Sequence, residues 1–105
     1  MIRKMQEEHK VWQINNFGLL PPEDSLLGIV EEVGELAHAH THNKQRVRTN
    51  ENHASNMKDA VGDITIFLMS FCTSYGWDYQ SIIEGVWKKV SDRDWVKFPG
   101  NGRTE

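Results

Sequence analysis

Residues 29–37 of the chain read IVEEVGELA, three carboxylates and a glycine inside an otherwise apolar stretch. A similar arrangement recurs at residues 59–64, DAVGDI, where an acid and alanine precede valine, glycine and a second acid. At about 100° per residue, the acids of each stretch fall on one face of a helix. These acids are Glu31, Glu32 and Glu35 in the first stretch, and Asp59 and Asp63 in the second. The sequence therefore predicts two helices that each concentrate negative charge on one face.

Crowded carboxylates need a compensating charge, because two of them about 4 Å apart repel by roughly 4 kcal/mol at an effective dielectric near 20. Mg²⁺ or Mn²⁺ fits this need, since both ions bind carboxylates together with waters and substrate phosphates. The predicted core stripe of the first acidic helix consists of Leu26, Val30, Val33 and Ala37. Acids in a groove with apolar walls favour a ligand site. A solvated acidic face is the alternative.

Together the two stretches resemble the motifs of the MazG-like all-α nucleoside triphosphate pyrophosphohydrolases. The family pattern is E-x-x-E, a spacer and E-x-x-D, and Glu32, Glu35 and Asp63 match it. The resemblance covers about residues 21–95. It implies a helical fold, a divalent metal held by these three carboxylates, and hydrolysis of a nucleoside triphosphate, expected to be a deoxynucleotide, to the monophosphate and pyrophosphate.

The second motif departs from the family pattern at one position. Ala60 stands where the pattern has a glutamate, and the neighbouring acid is Asp59, which is turned about 100° around the helix. Asp59 is therefore a candidate for an additional metal ligand, and Glu31 or Asp59 is a candidate for the base that orients the attacking water. The departure leaves the number of bound ions open.

Length and composition limit the possible functions. With 105 residues, the chain predicts one domain, residues 1–105, whose modest core would benefit from self-association as a homodimer or homotetramer. The formal net charge is −3 and no basic patch stands out, which disfavours nucleic-acid binding. The single cysteine, Cys72, lies in an apolar run that is too short to span a membrane. We therefore expect a soluble, cytoplasmic protein without disulfides or a signal peptide.

Hydrophobic spacing and breaker residues predict an all-α, four-helix bundle-like domain. The predicted helices cover residues 1–17, 21–44, 53–75 and 79–92, with a loop over 44–52 and an irregular tail over 95–105. The predicted core stripes are Met1, Ile2, Met5 and Trp12 in the first helix, Met57, Val61, Ile64, Leu68, Phe71 and Tyr75 in the third, and Ile82, Ile83, Val86 and Val90 in the fourth. Gly34 and Gly62 each cost about 1 kcal/mol of helix propensity, which predicts that the two acidic helices approach closely there.

Five further residues are candidates for substrate binding. His9, Trp12 and Gln13 of the first helix offer a stacking face and hydrogen-bonding groups for a base, and a structural role in the core is the alternative. Lys89 and Arg93 adjoin the apolar stripe of the fourth helix. They therefore need an anionic partner, which is either the triphosphate or a carboxylate of the bundle.

Residues 38–42, HAHTH, contain three alternating histidines. Only His38 and His42 share the helical face of Glu35, and we expect them to be solvated or to support the metal site. Glu35 and His38 form one E-x-x-H, half of the set that a di-iron carboxylate bundle uses. A di-metal redox bundle is therefore a weak alternative function. A non-catalytic nucleotide-binding or interaction module that has lost its fourth carboxylate is a stronger one.

Overall fold

The computed structural model describes residues 1–104, and this part of the chain is all-helical. The helices are α1 (Ile2–Phe17), α2 (Pro22–Gln45), α3 (His53–Ser74) and α4 (Tyr79–Ser91). No β-strand occurs within residues 1–104, so the predicted all-α class is confirmed. Turns follow α4 through residue 103, as expected for the tail, and Glu105 lies outside the described residues.

Capping residues explain where the helices begin and end. Pro22 occupies the first turn of α2, where its missing N–H costs nothing. The side chains of Asn52 and Asp78 accept hydrogen bonds from backbone N–H groups at the starts of α3 and α4. Gly18 ends α1 with a φ of 78°, a conformation that favours glycine. These local signals are why every predicted helix boundary agrees with the structure within one residue.

The helices α2 and α3 pack side by side as an antiparallel hairpin. Near the start of α2, the Oγ of Ser25 donates a hydrogen bond of 2.9 Å to the Oγ of Ser70, which lies near the end of α3. At the other end, the rings of His42 and His53 are 6.2 Å apart between centroids. These pairs fix the register of the two helices along their whole length.

The close approach of the two helices occurs at Gly28, and its prediction at Gly34 and Gly62 was wrong. A Cβ atom at either of those two glycines would meet no atom within 4 Å, whereas one at Gly28 would lie 2.6 Å from the ring of Phe67. The physical reason is the orientation of α2, which turns Gly28 toward α3 and Gly34 away from it. Gly28 therefore allows the aromatic ring to pack directly against the backbone of α2.

Polar contacts attach α1 to the start of α4. The Nε2 of Gln6 donates to the carbonyl oxygen of Trp77 at 2.9 Å, and its Oε1 accepts from the N–H of Tyr79 at 2.9 Å. The guanidinium of Arg3 contacts the carboxylate of Asp78 at 2.8 Å. Hydrogen bonds from Arg3 and from the Ser81 side chain lower the pKa of Asp78 to about 2. Buried amide hydrogen bonds and one ion pair thus hold the fourth helix in place.

Most of the predicted core stripes face solvent in the protomer, which corrects the sequence analysis. Among residues 1–104, the buried apolar side chains are Ala39, Ala60, Met69 and Cys72. The exposed members of the predicted stripes are Leu26, Val30, Val33 and Ala37 in α2, Met1, Met5 and Trp12 in α1, Val61 and Tyr75 in α3, and Ile82, Ile83, Val86 and Val90 in α4. The half-buried members are Ile2 of the α1 stripe and Met57, Ile64, Leu68 and Phe71 of the α3 stripe.

The reason for the difference is that α2 packs on α3 through its small and polar residues, among them Ser25, Gly28 and Ala39. Four of its larger apolar side chains, Leu26, Leu27, Val30 and Val33, are left exposed. The protomer is accordingly open, with a Cα radius of gyration of 17.6 Å, against about 13 Å for a compact domain of this length. Within the described residues, no helix has the length and hydropathy of a membrane span.

Candidate active site

The register of the hairpin brings the two acidic motifs together. Ser25 lies opposite Ser70 and His42 lies opposite His53. The same antiparallel register places Glu32 opposite Asp63 and Glu35 opposite Ala60. The electrostatic interaction of Glu32 with both Glu35 and Asp63 agrees with this placement. The three acids that match the family pattern therefore lie along one groove between α2 and α3.

Glu32 is the most constrained carboxylate of this groove. Its Oε2 is buried and has no hydrogen-bond partner within residues 1–104. Burial raises the pKa of Glu32, and the negative charges of Glu35 and Asp63 raise it further. Because a cation would offset both effects, this side chain is the strongest indication in the structure of a positively charged ligand.

A cleft of about 450 Å³ opens beside these acids. Its lining residues are Glu35, His38, Ala39, Glu51, His53, Asn56, Asp59, Ala60 and Asp63. Ala60 is 2% exposed and forms part of the wall where the family pattern has a glutamate. Asp59 lines the same cleft as Asp63, as their spacing of four residues on one helical face predicts. It is turned about 100° from the position of Ala60, and it adds a carboxylate to the wall of this cleft.

Three lining residues were missed by the sequence analysis, namely Glu51, His53 and Asn56. Asn56 lies one turn before Ala60, so the helical period could have indicated it. Glu51 belongs to the loop after α2, and no periodic pattern identifies a loop residue. His53 is placed by the loop as well, because the turn of the chain determines what the first residue of α3 faces.

The donor set of the groove matches a hard divalent cation. Carboxylate oxygens are the ligands that Mg²⁺ and Mn²⁺ prefer, and the buried oxygen of Glu32 lacks another partner among residues 1–104. In the conformation described for these residues, no three His, Cys, Asp or Glu side chains converge on one ion. The residues that would hold such an ion are Glu32, Glu35, Asp59 and Asp63, and Glu31 is exposed beside them.

The candidate base-binding residues of α1 have different environments. Gln13 is buried, and its Oε1 accepts a hydrogen bond of 2.7 Å from Ser70. Trp12 is 52% exposed, and its ring lies 5.7 Å from that of His9 between centroids. Burial lowers the pKa of His9, whose Nδ1 has no partner within residues 1–104. Gln13 thus links α1 to α3, whereas His9 and Trp12 offer a ring edge and a ring face to a ligand.

The structure does not bring the candidate phosphate-binding residues to the acidic groove of the same protomer. Within the described residues, α4 packs on α1 and α3 and has no contact with α2. Lys89 and Arg93 are both exposed, and the guanidinium of Arg93 lies 5.7 Å from the centroid of the Trp95 ring. Neither side chain forms an ion pair within residues 1–104, so the structure does not supply the bundle carboxylate that the sequence offered as their partner.

Two of the three alternating histidines lie near the loop end of the cleft. The rings of His38 and His42 are 3.9 Å apart between centroids, and His42 in turn faces His53 of α3. His40 is exposed. The pairing of His38 with His42 follows from the helical period, but the participation of His53 depends on the hairpin.

Comparison with known protein families gives one match. The model of the MazG nucleotide pyrophosphohydrolase domain matches residues 21–97, a range that includes α2, α3, α4 and both acidic motifs. No match was found among curated proteins or among solved structures.

Proposed function

The chain belongs to the MazG nucleotide pyrophosphohydrolase family, and from this premise we propose that it hydrolyses a nucleoside triphosphate, preferably a deoxynucleotide, to the monophosphate and pyrophosphate. The reaction depends on Mg²⁺, for which Mn²⁺ can substitute. Its role is to remove unwanted nucleotides from the cytoplasmic pool. The observation that carries the proposal is the buried, unpartnered oxygen of Glu32 beside Glu35 and Asp63, because a protein gains nothing structurally from such a cluster.

The carboxylates have distinct roles in this proposal. Glu32, Glu35 and Asp63 hold the metal, with Asp59 as a further ligand in place of the glutamate that Ala60 lacks. When bound, the ion neutralises charge on the phosphate oxygens and on the leaving pyrophosphate. Glu31 or Asp59 orients a water and accepts its proton as the water oxygen adds to phosphorus. The bond between the α- and β-phosphates then breaks, and pyrophosphate leaves.

The base of the nucleotide is bound by α1 in this proposal. The indole face of Trp12 stacks on the base, and the ring of His9 beside it supplies a hydrogen-bonding group for the edge of the base. Gln13 acts indirectly, because its hydrogen bond with Ser70 keeps α1 in position on α3.

A second copy of the chain completes the assembly, as a homodimer or homotetramer. The exposed apolar face of α2, formed by Leu26, Leu27, Val30 and Val33, is the surface that a second copy would cover. Removing such a face from water contributes about 25 cal/mol per Å², and the open shape of the protomer leaves room for it. Lys89 and Arg93 bind the triphosphate from a neighbouring copy, since α4 does not reach the groove of its own protomer.

The second candidate function is a nucleotide-binding module without catalytic activity. The observation that favours it is Ala60, which leaves one metal-binding carboxylate out of the groove. Such a module would bind nucleotide and metal without turnover.

A screen of the common NTPs and dNTPs for pyrophosphate release, with Mg²⁺ and then with Mn²⁺, tests the proposed activity. We expect release with the natural chain and none with Glu35→Gln. Nucleotide binding by calorimetry without pyrophosphate release from any substrate would refute the enzyme and support the binding module.

A further inference from the structure

The histidine cluster, defined as His38, His42 and His53, joins the end of α2 to the start of α3. Its ring centroids are 3.9 Å apart between His38 and His42, and 6.2 Å apart between His42 and His53. The loop of residues 46–52 connects the two helices beside it. None of the three imidazoles has a role in the proposed hydrolysis.

His53 has a defined tautomer. It is 8% exposed, and its Nε2 lies 3.0 Å from the carbonyl oxygen of Val47. Because a carbonyl only accepts hydrogen bonds, Nε2 carries the proton and the Nδ1 of the neutral ring presents a lone pair. That Nδ1 is buried and has no partner within residues 1–104. A metal-binding histidine shows the same arrangement, with one ring nitrogen donating to a backbone carbonyl and the other on the ion.

His42 presents a second nitrogen of this kind. Its Nδ1 is also buried and has no partner in the described part of the chain. Burial lowers the pKa of His42, and the nearby His38 and Arg48 lower it further. These surroundings disfavour the protonated form of the ring, and the neutral form is the one that binds a metal.

The ring separations are compatible with a shared ion after a small adjustment. With a metal–nitrogen distance of about 2.1 Å, the centroids of two imidazoles on one tetrahedral ion lie roughly 5 Å apart, close to the 6.2 Å between His42 and His53. In the conformation described, His38 is too close to His42, and no three His, Cys, Asp or Glu side chains of residues 1–104 converge on one ion. The exposed position of His38 allows the ring to turn and bind as the third ligand.

We propose that the histidine cluster binds a borderline divalent transition-metal ion, represented by Zn²⁺, through imidazole nitrogens at the loop end of the cleft that Glu35, Asp59 and Asp63 also line. Imidazole nitrogens suit Zn²⁺, whereas Mg²⁺ prefers oxygen ligands. The bound ion fastens the end of α2 to the start of α3 and closes the loop between them. This inference does not depend on the proposed hydrolysis.

Calorimetric titration of the full chain with Zn²⁺, in the presence of excess Mg²⁺ to occupy the carboxylates, tests the site. We expect Zn²⁺ to bind at one ion per chain and to raise the melting temperature. The variants His38→Ala, His42→Ala and His53→Ala should each weaken binding by at least about tenfold, the lower range for loss of even an indirect contact at a metal site. His40→Ala is the matched control, since His40 is an exposed histidine on the same helix, and it should bind like the natural chain.

The outcomes distinguish Zn²⁺ binding by the imidazoles from Zn²⁺ binding by the carboxylates of the same cleft. Zn²⁺ binding that persists in Glu32→Gln supports the histidine cluster, whether or not the protein hydrolyses nucleotides. Zn²⁺ binding that is lost in Glu32→Gln and retained in His42→Ala would overturn the proposal, as would the absence of binding to the natural chain. Because His53 is buried and its replacement can unfold the protein, the exposed His38 provides the variant whose unchanged affinity would also count against the site.

Discussion

Replacing Gly28 with alanine tests the packing that brings the two acidic motifs together. The added Cβ would lie 2.6 Å from the Phe67 ring, whereas carbon atoms in favourable contact are about 3.5–4.0 Å apart. Phe67 or the whole of α2 must therefore move by about 1 Å. Glu32 lies one turn beyond Gly28, so a shift of α2 would also change its distance from Asp63.

The expected magnitude follows from two opposing contributions. Overpacking costs about 1–3 kcal/mol, and alanine in place of glycine in a helix interior gains about 1 kcal/mol. Gly28→Ala should therefore lose roughly 0–2 kcal/mol of unfolding free energy. Gly34→Ala is the matched control in the same helix, because its Cβ would meet no atom within 4 Å. This variant should show only the gain in helix propensity, without the cost of overpacking.

The assay is thermal and urea unfolding of both variants at one protein concentration. The propensity gain cancels between them, so Gly28→Ala should be less stable than Gly34→Ala by about 1–3 kcal/mol, at about 4–8 °C of melting temperature per kcal/mol for a chain of this size. Gly62→Ala is a second control, in α3, because its Cβ would also meet no atom within 4 Å. Gly28→Ala that melts at or above both controls would refute the proposed packing of Gly28 on Phe67.

Four further outcomes are expected. Glu35→Gln should lower the rate of pyrophosphate release by orders of magnitude while the melting temperature stays the same or rises, since like-charge repulsion is relieved; normal turnover at saturating Mg²⁺ would contradict its role. Asp59→Asn should raise the Mg²⁺ concentration needed for half-maximal rate, and an unchanged Mg²⁺ titration would leave Asp59 as a surface acid. Val30→Asp should reduce the molar mass measured by light scattering, whereas a monomeric natural chain would exclude self-association. The pKa of Asp78 is lowered from 3.8 to about 2, so its ion pair with Arg3 stabilises the fold above this pH range and is lost as the pH falls through it. Asp78→Asn should therefore show a weaker pH dependence of the free energy of unfolding in this range. An identical acid profile would show that the Arg3 ion pair does not contribute to stability.

Local signals in the sequence were sufficient for the helices and their ends. The starts of three helices are set by Pro22, Asn52 and Asp78, each of which acts on the backbone within one turn. These boundaries can therefore be placed from the sequence alone. The acidic motifs are local as well, because the spacing of Glu32 and Glu35 within one helix fixes their common face.

Which face each helix buries was not available from the sequence. A helical pattern shows that an apolar stripe exists, but the stripe of Val30 and Val33 is the same whether α3 or a second copy covers it. The structure packs α3 against the small residues of α2 instead, and this is why the predicted core of α2 is exposed.

The sequence by itself determined the four helices, their boundaries and the two acidic motifs, since these depend on interactions between residues a few positions apart. Only the tertiary structure decided that Gly28 contacts Phe67, that His53 joins His42, and that α4 lies away from the groove. These features depend on the register of the hairpin and on the path of the loops. Both are fixed by contacts between residues far apart in the chain, which no periodic pattern encodes.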